Sequence, residues 1–315
     1  MHSPLGRGTH REMTILSVRH VTTYRYKKPV SFGEHRLMFR PRDSHDQKLI
    51  HAHVEITPEP SHFRWIHDVF GNCVAIANFA GMASELRFAS TIRLEHSPDA
   101  TPDFQMEDHA KTYPFFYAPD ELPDLMPSIE RRYPDPEREL EKWVRRFLRQ
   151  GRPTATGELL KTLTYGIKES FSYSRRSQVG THAPLTTLKL RRGSCRDLAL
   201  FMMEAVRCLG LAARFVSGYI YVPDRDQATY LGGGSTHAWC QVYLPGAGWV
   251  EFDPTNGIIG NQDLIRVAVA RDPDQAAPLT GAYFGDADDD LGMSVDVQVT
   301  SEPIVKELPS KVGHG

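Results

Sequence analysis

The 315-residue sequence has no uninterrupted run of 18 apolar residues, so no membrane-spanning helix is expected. It has no charge excess either. Its 37 basic residues face 39 acidic ones, a formal net charge of −2, which leaves little to attract nucleic acid. Cysteine is scarce: Cys73, Cys195, Cys208 and Cys240 are the whole set, and no C-x-x-C pair occurs. That argues against a structural zinc site or a thioredoxin-like motif. The opening MHSPLGRGTHREMTILSV has no apolar centre of a secretory signal; residues 1–12 read as a disordered leader, with Met13 an alternative start. Free thiols then fit a reducing compartment, and a cytoplasmic location is expected. Internal repeats and low-complexity tracts are missing too. What remains is the make-up of a folded protein, 40% hydrophobic and 24% charged, long enough for two domains without disulfide support.

The pattern changes along the chain. Residues 13–97 read as an N-terminal β-sandwich-like domain of short strands separated by turns. Ile50, Ala52, Val54 and Ile56 share one strand face. Leu86 and Phe88, then Ile92 and Leu94, alternate with a change of phase between the pairs. Residues 98–135 form a linker rich in proline and aromatics, in which Pro98, Pro102, Pro114, Pro119, Pro123, Pro127 and Pro134 break any long element. A second domain is expected over 136–275. Asp135-Pro136 reads as the cap and first residue of a helix carrying Leu140, Trp143, Val144, Phe147 and Leu148. A further helix covers roughly 156–170, and strands resume from 213. Residues 276–315 read as a strand and tail that could return to the N-terminal domain.

The stretch RRGSCRDLALFMMEAVRCLG (191–210) carries the chemistry. Leu198, Phe201, Met202, Ala205 and Leu209 fall on one face of a helix that Gly210 ends. Ser194 suits the N-cap, which makes Cys195 the first helical residue. Orphan N–H groups and the positive helix end there favour a thiolate, the nucleophilic form of the side chain. Arg196 would add to that field if turned inward. A lone cysteine is more often an inert small hydrophobe, the reading that suits Cys208 and Cys240.

A thiolate needs a histidine as general acid and base, and a group to orient it. His237 follows the glycine-rich LGGGST and opens the strand HAWCQVYL; GWVEFDPTNG ends its own strand at Asp253. With Pro245, Gly246, Ala247 and Gly248 as the turn, the two strands form a hairpin whose open ends carry His237 and Asp253. Counting from a four-residue turn sets Cys240 opposite Asp253 and leaves His237 a few residues off register. A half-buried strand histidine and an Asp-Pro turn starter are the plain alternatives.

The ordered set RRGSCRDLALFMMEAVRCLGLAARFVSGY and STHAWCQVYLPGAGWVEFDPTNG resembles the transglutaminase-like superfamily, and DVFGN (68–72) resembles the N-terminal domain of its bacterial members. The resemblance implies an α+β fold: a papain-like core, with the nucleophile at a helix N-terminus packed on an antiparallel sheet, after an N-terminal β-sandwich-like domain. It implies Cys195 as nucleophile, His237 as general acid and base, and Asp253 as its orienting partner. Ser194, Arg196, Asp197 and Trp239 are supporting candidates, and Tyr173 is the candidate oxyanion donor beside the Cys195 backbone N–H. Leu264 and Pro273 stand where members often have histidine and tyrosine.

The implied activity is thiol-dependent cleavage of an amide or peptide bond through a thioacyl enzyme, with a protein, peptide or amide substrate. Transfer to an amine is the alternative, and a non-catalytic binding module using the cleft is the alternative of another class. No cofactor is expected. No metal is expected either: His35, His45, His51, His53, His62 and His67 lack regular ligand spacing, and DADDD (286–290) lacks the glycine and terminal glutamate of a calcium loop. The pattern points to no nucleic-acid or membrane partner and to no particular oligomeric state.

Overall fold

The computed structural model describes residues 13–98, 104–175, 180–222 and 234–302. The expected leader, Pro102, Gly232 and Gly233 of the glycine run, and the tail from 303 lie outside the described residues.

Two antiparallel sheets form the N-terminal part. One is built on β1 (Thr14–Phe32), with β6 (Met82–His96) on one side and β11 (Asp290–Glu302) on the other; β3 (Gln47–Thr57) pairs with β6. The second holds β2 (His35–Leu37), β5 (Cys73–Asn78) and β4 (His62–His67). A single face of β1 serves two cores. Leu16 and Val18 pack with Ile92, Leu94, Tyr219, Ile265 and Val267. Tyr26 and Val30, further along, pack with Leu37, Phe39, Ala75, Leu86 and Phe88 of the two sheets.

Two details of the strand pattern differ from the sequence reading. β6 keeps one phase throughout, because buried Ser90 fills the gap between Phe88 and Ile92. In β3 a bulge between Leu49 and His51 turns Ile50 outward, 42% exposed, and Leu49 takes its place against the core.

The second part is α/β. Helices α1 (Leu122–Ile129), α2 (Glu139–Arg145), α3 (Thr156–Ser170), α4 (Pro184–Leu190) and α5 (Cys195–Cys208) precede strands β7 (Ala213–Ile220), β8 (His237–Leu244), β9 (Gly248–Asp253) and β10 (Leu264–Ala270). The sheet order is Ile258–Ile259, β9, β8, β7, β10, all antiparallel. The proline-rich segment does carry a helix, α1, with proline near its start and Pro127 inside it. Helix α2 begins later than Asp135-Pro136 suggested, after Arg138 in a left-handed conformation. Asp135 still caps it from a distance, accepting from the backbone N–H of Glu139 at 2.7 Å and Glu141 at 3.2 Å.

Helix α5 is buried on nearly every side, not on one face as its apolar stripe suggested. Trp143 of α2, Leu160 and Leu163 of α3, and Cys240, Val242 and Leu244 of β8 share its core. Two of its buried charged residues, Glu204 and Arg207, satisfy each other and the backbone. Arg207 donates to Glu204 at 2.9 Å and to the carbonyls of Ala213, Arg271 and Ser128.

The outer edge of β10 is closed by two side-chain amides. Asn72 donates Nδ2–H to the Val269 carbonyl at 2.7 Å and accepts from the Val269 N–H at 2.9 Å. Gln47 does the same to Arg266, at 2.9 and 3.0 Å. Each amide mimics a neighbouring strand, so the edge has little left to offer another chain at these positions.

Candidate active site

Helix α5 starts at Cys195 because the preceding turn is over-determined. Ser194 is its N-cap. The Ser194 N–H donates to Asp197 Oδ2 at 2.8 Å, the Ser194 hydroxyl donates to the same oxygen at 2.9 Å, and the Asp197 N–H returns to Ser194 Oγ at 3.4 Å. Asp197 Oδ1 also accepts from the His182 N–H at 2.6 Å. A Cβ on Gly193 would lie 2.7 Å from the Asp197 Cβ, so only glycine lets the carboxylate fold back. The supporting candidates Ser194 and Asp197 are thus committed to fixing the helix start. They leave Cys195, 8% exposed, at its mouth. Arg196 is half-buried beside it.

The β8–β9 hairpin sets the other two residues. Its turn has three residues, since Gly248 is already paired with Leu244. Cys240 therefore lies opposite Phe252, not opposite Asp253. Continued by one step, this register sets Trp239 opposite Asp253 and leaves His237 two positions away. Because side chains alternate along a strand, an offset of two keeps imidazole and carboxylate on one face.

His237 Nε2 donates to Asp253 Oδ2 at 2.8 Å, with both side chains fully buried. The imidazole also stacks on Trp239, with centroids 6.0 Å apart. Asp253 is held from behind: Thr255 N–H donates to Oδ1 at 2.8 Å and Asn256 Nδ2–H to Oδ2 at 2.8 Å. Asn256 was not singled out in the sequence. Its only signal was a position three residues beyond Asp253 in the DPTNG turn.

Burial opposes a charged His237, but the Asp253 carboxylate and the Cys195 side chain outweigh it and raise the imidazole pKa to about 10. Burial likewise opposes the Asp253 charge, and His237, Asn256 and the Thr255 N–H reverse it, so the carboxyl sits below its ordinary range. With Nε2 taken, Nδ1 is the nitrogen left for the sulfur. Among the described residues it has no other partner, and the Cys195 side chain acts on the ring to raise its pKa.

Tyr173 stands close by. Ser172–Tyr173 pairs in parallel with Arg192–Gly193, which places the tyrosine alongside Gly193, two residues before Cys195. Burial raises its pKa, and the Cys195 charge adds to the rise, as expected of a hydroxyl near the sulfur. The other thiols differ. Burial pushes Cys208 up to about 12 and moves fully buried Cys240 further in the same direction. Among the described residues no three His, Cys, Asp or Glu side chains group as metal ligands.

Two sequence profiles match the chain. The transglutaminase-like superfamily profile matches residues 141–254. The core belongs to the transglutaminase-like superfamily. The bacterial transglutaminase-like N-terminal region matches residues 16–95, the sheets that precede this transglutaminase-like core. An uncharacterised protein of Mycobacterium tuberculosis is 29% identical over 308 residues, 92% of this chain and 93% of its own. One of Mycobacterium leprae is 29% identical over 291 residues, 90% and 98% of the two chains. A crystal structure named a "putative cysteine protease", from Cytophaga hutchinsonii, superposes with a TM-score of 0.71 at 18% identity, over 94% of this chain and 93% of that one. At that identity the likeness is one of fold. Among the described residues no helix is long and apolar enough to cross a membrane.

Proposed function

We propose that the protein is a cysteine-dependent hydrolase of amide or peptide bonds. The observation that carries this reading is the meeting of Cys195, at a capped helix start, with a buried imidazole that Asp253 holds by its far nitrogen. In the proposed reaction Cys195 Sγ attacks the substrate carbonyl carbon, and the carbonyl electron pair moves onto oxygen. The Cys195 backbone N–H and the Tyr173 hydroxyl are the donors proposed for that oxyanion. Collapse breaks the C–N bond as His237 gives its proton to the leaving amine. Water then attacks the thioester while His237 accepts its proton, and the acid leaves with the thiol restored. Asp253 keeps His237 oriented and charged, and no cofactor takes part.

The substrate class is a protein, peptide or other amide. The shared fold with the Cytophaga hutchinsonii protein, itself described as a "putative cysteine protease", leans toward hydrolysis. Four unpaired cysteines support a reducing, cytoplasmic setting. A peptide-library digestion with wild type and Cys195→Ala, with and without a primary amine, tests the reading. Cleavage lost in Cys195→Ala supports hydrolysis, and amine incorporated into product makes the protein an acyltransferase. No turnover with either acceptor, and no thioacyl adduct by mass spectrometry, leaves a binding module.

A further inference from the structure

A large cavity lies away from Cys195. It encloses about 900 Å³, the size of a small-ligand site, and none of Cys195, His237 and Asp253 lines it. It opens between the segment after β2, the DVFGN turn and the outer face of the core sheet. Three arginines line it, Arg42, Arg214 and Arg266.

The three differ in what they touch. Arg266 is neutralised: it donates to Glu251 at 2.5 Å and to Asp46 at 3.0 Å. Arg214 lies on the Trp249 ring, 4.1 Å from its centroid, and among the described residues donates Nε–H to Gln241 Oε1 at 2.6 Å. Arg42 donates one N–H to the Phe70 carbonyl at 3.3 Å. Neither Arg42 nor Arg214 forms an ion pair among the described residues.

The acids of the cavity are already engaged. Glu251 accepts from Gln241 and Arg266, Asp46 from Arg266, Ser44 and Asn261, and Asp43 from the Leu49 N–H. Burial lowers the Arg214 pKa to about 10, with Arg266 and Arg42 repelling it against the pull of Glu251. Part of DVFGN has its use here. Gly71 has φ +74°, and a Cβ on it would lie 2.7 Å from Arg42 Nη1, so glycine lets the arginine lie across the turn. Phe70 accepts its N–H, and Asn72 fastens the turn to β10.

We propose that this cavity binds a small organic oxyanion, its carboxylate or phosphate group seated between Arg42 and Arg214. Both offer planar N–H forks that no carboxylate among the described residues takes up, and the anion would relieve the repulsion between them. The site is separate from the proposed chemistry, so Cys195→Ala should bind as wild type does.

Isothermal titration of the full chain at fixed ionic strength tests it, with inorganic phosphate and succinate as separate probes. At least one should saturate a single site, and which one does tells phosphate from carboxylate recognition. Arg42→Gln and Arg214→Gln should each weaken that binding about tenfold or more, while Arg19→Gln, whose exposed side chain pairs with Asp296 and does not line the cavity, leaves it unchanged. Arg42 is exposed, so its variant stays folded and decides the matter if Arg214→Gln does not fold. Neither probe saturating by ~10 mM, or unchanged binding by Arg42→Gln, overturns the proposal.

Discussion

Asp253 meets His237 across the β8–β9 hairpin from two positions out of register, with Oδ2 2.8 Å from Nε2. That offset keeps them on one sheet face, and the bond to Nε2 leaves Nδ1 as the nitrogen available to Cys195. The contact also sets a pH window. The His237 pKa is raised above the unfolded 6.5, so its charge contributes stability that is full below pH 6.5 and lost as pH rises through about 10. Asp253, lowered from 3.8, contributes above that value and loses its contribution as pH falls through its folded pKa. In Asp253→Asn the imidazole titration should drop toward 6.5, read by NMR, and hydrolysis should slow about 100-fold or more. An imidazole titrating at the same pH in both proteins would contradict the assignment.

The thiols should separate by reactivity. Iodoacetamide near neutral pH should modify Cys195 at least about tenfold faster than Cys208 or Cys240, whose thiols burial holds protonated. Peptide mapping by mass spectrometry reads this directly. Equal labelling of Cys195 and Cys208 in the native protein would remove the case for an activated nucleophile.

Asn256 should act through Asp253. Asn256→Ala removes the 2.8 Å bond to Oδ2 and frees the carboxylate to turn. Turnover should fall about tenfold, with the basic limb of the pH–rate profile moving to lower pH. A purely structural role would lower thermal stability and leave that limb in place.

The start of α5 offers a graded test. Ser194→Ala should cost about 1 kcal/mol. Gly193→Ala should cost more, since its methyl would meet the Asp197 Cβ at 2.7 Å, and should displace the mouth of the helix with it. Thermal denaturation ranks the two, and a Gly193→Ala protein as stable as wild type would show that the turn is looser than described.

The amide clamps should matter through the atoms they satisfy. Asn72→Ala leaves the N–H and C=O of Val269 without partners and should cost about 2–4 kcal/mol. Asn72→Asp should be worse, because it turns an acceptor toward the Val269 carbonyl. Urea denaturation of the two variants checks the order.

Local pattern carried much of this architecture. The apolar spacing from Leu198 to Leu209 and the Gly210 stop located α5, and the leucines from 159 to 163 located α3. The hairpin around Pro245 was legible as a pair of strands. Its register was not, because glycine at 248 reads equally as turn or strand, and one residue decides which side chains face each other. Asn256, Asn72 and Gln47 escaped notice for a different reason. Their work is done by side-chain amides reaching backbone or carboxylate groups, up to 219 residues away in the case of Gln47, and no short-range periodicity encodes that. The burial of α5 was similarly hidden, since Glu204 and Arg207 look solvent-facing until they are seen to neutralise each other.

β1 is an interior strand whose neighbour β11 comes from the far end of the described chain; Ser17 and Glu302, 285 residues apart, share a hydrogen bond. On a ribosome the first long strand emerges early and its last partner late. Through most of synthesis β1 has one finished side and one open side, held by β6 alone. Completion of that sheet therefore waits for residues 290–302, which are made long after β1, and the growing polypeptide depends on protection of that edge until then.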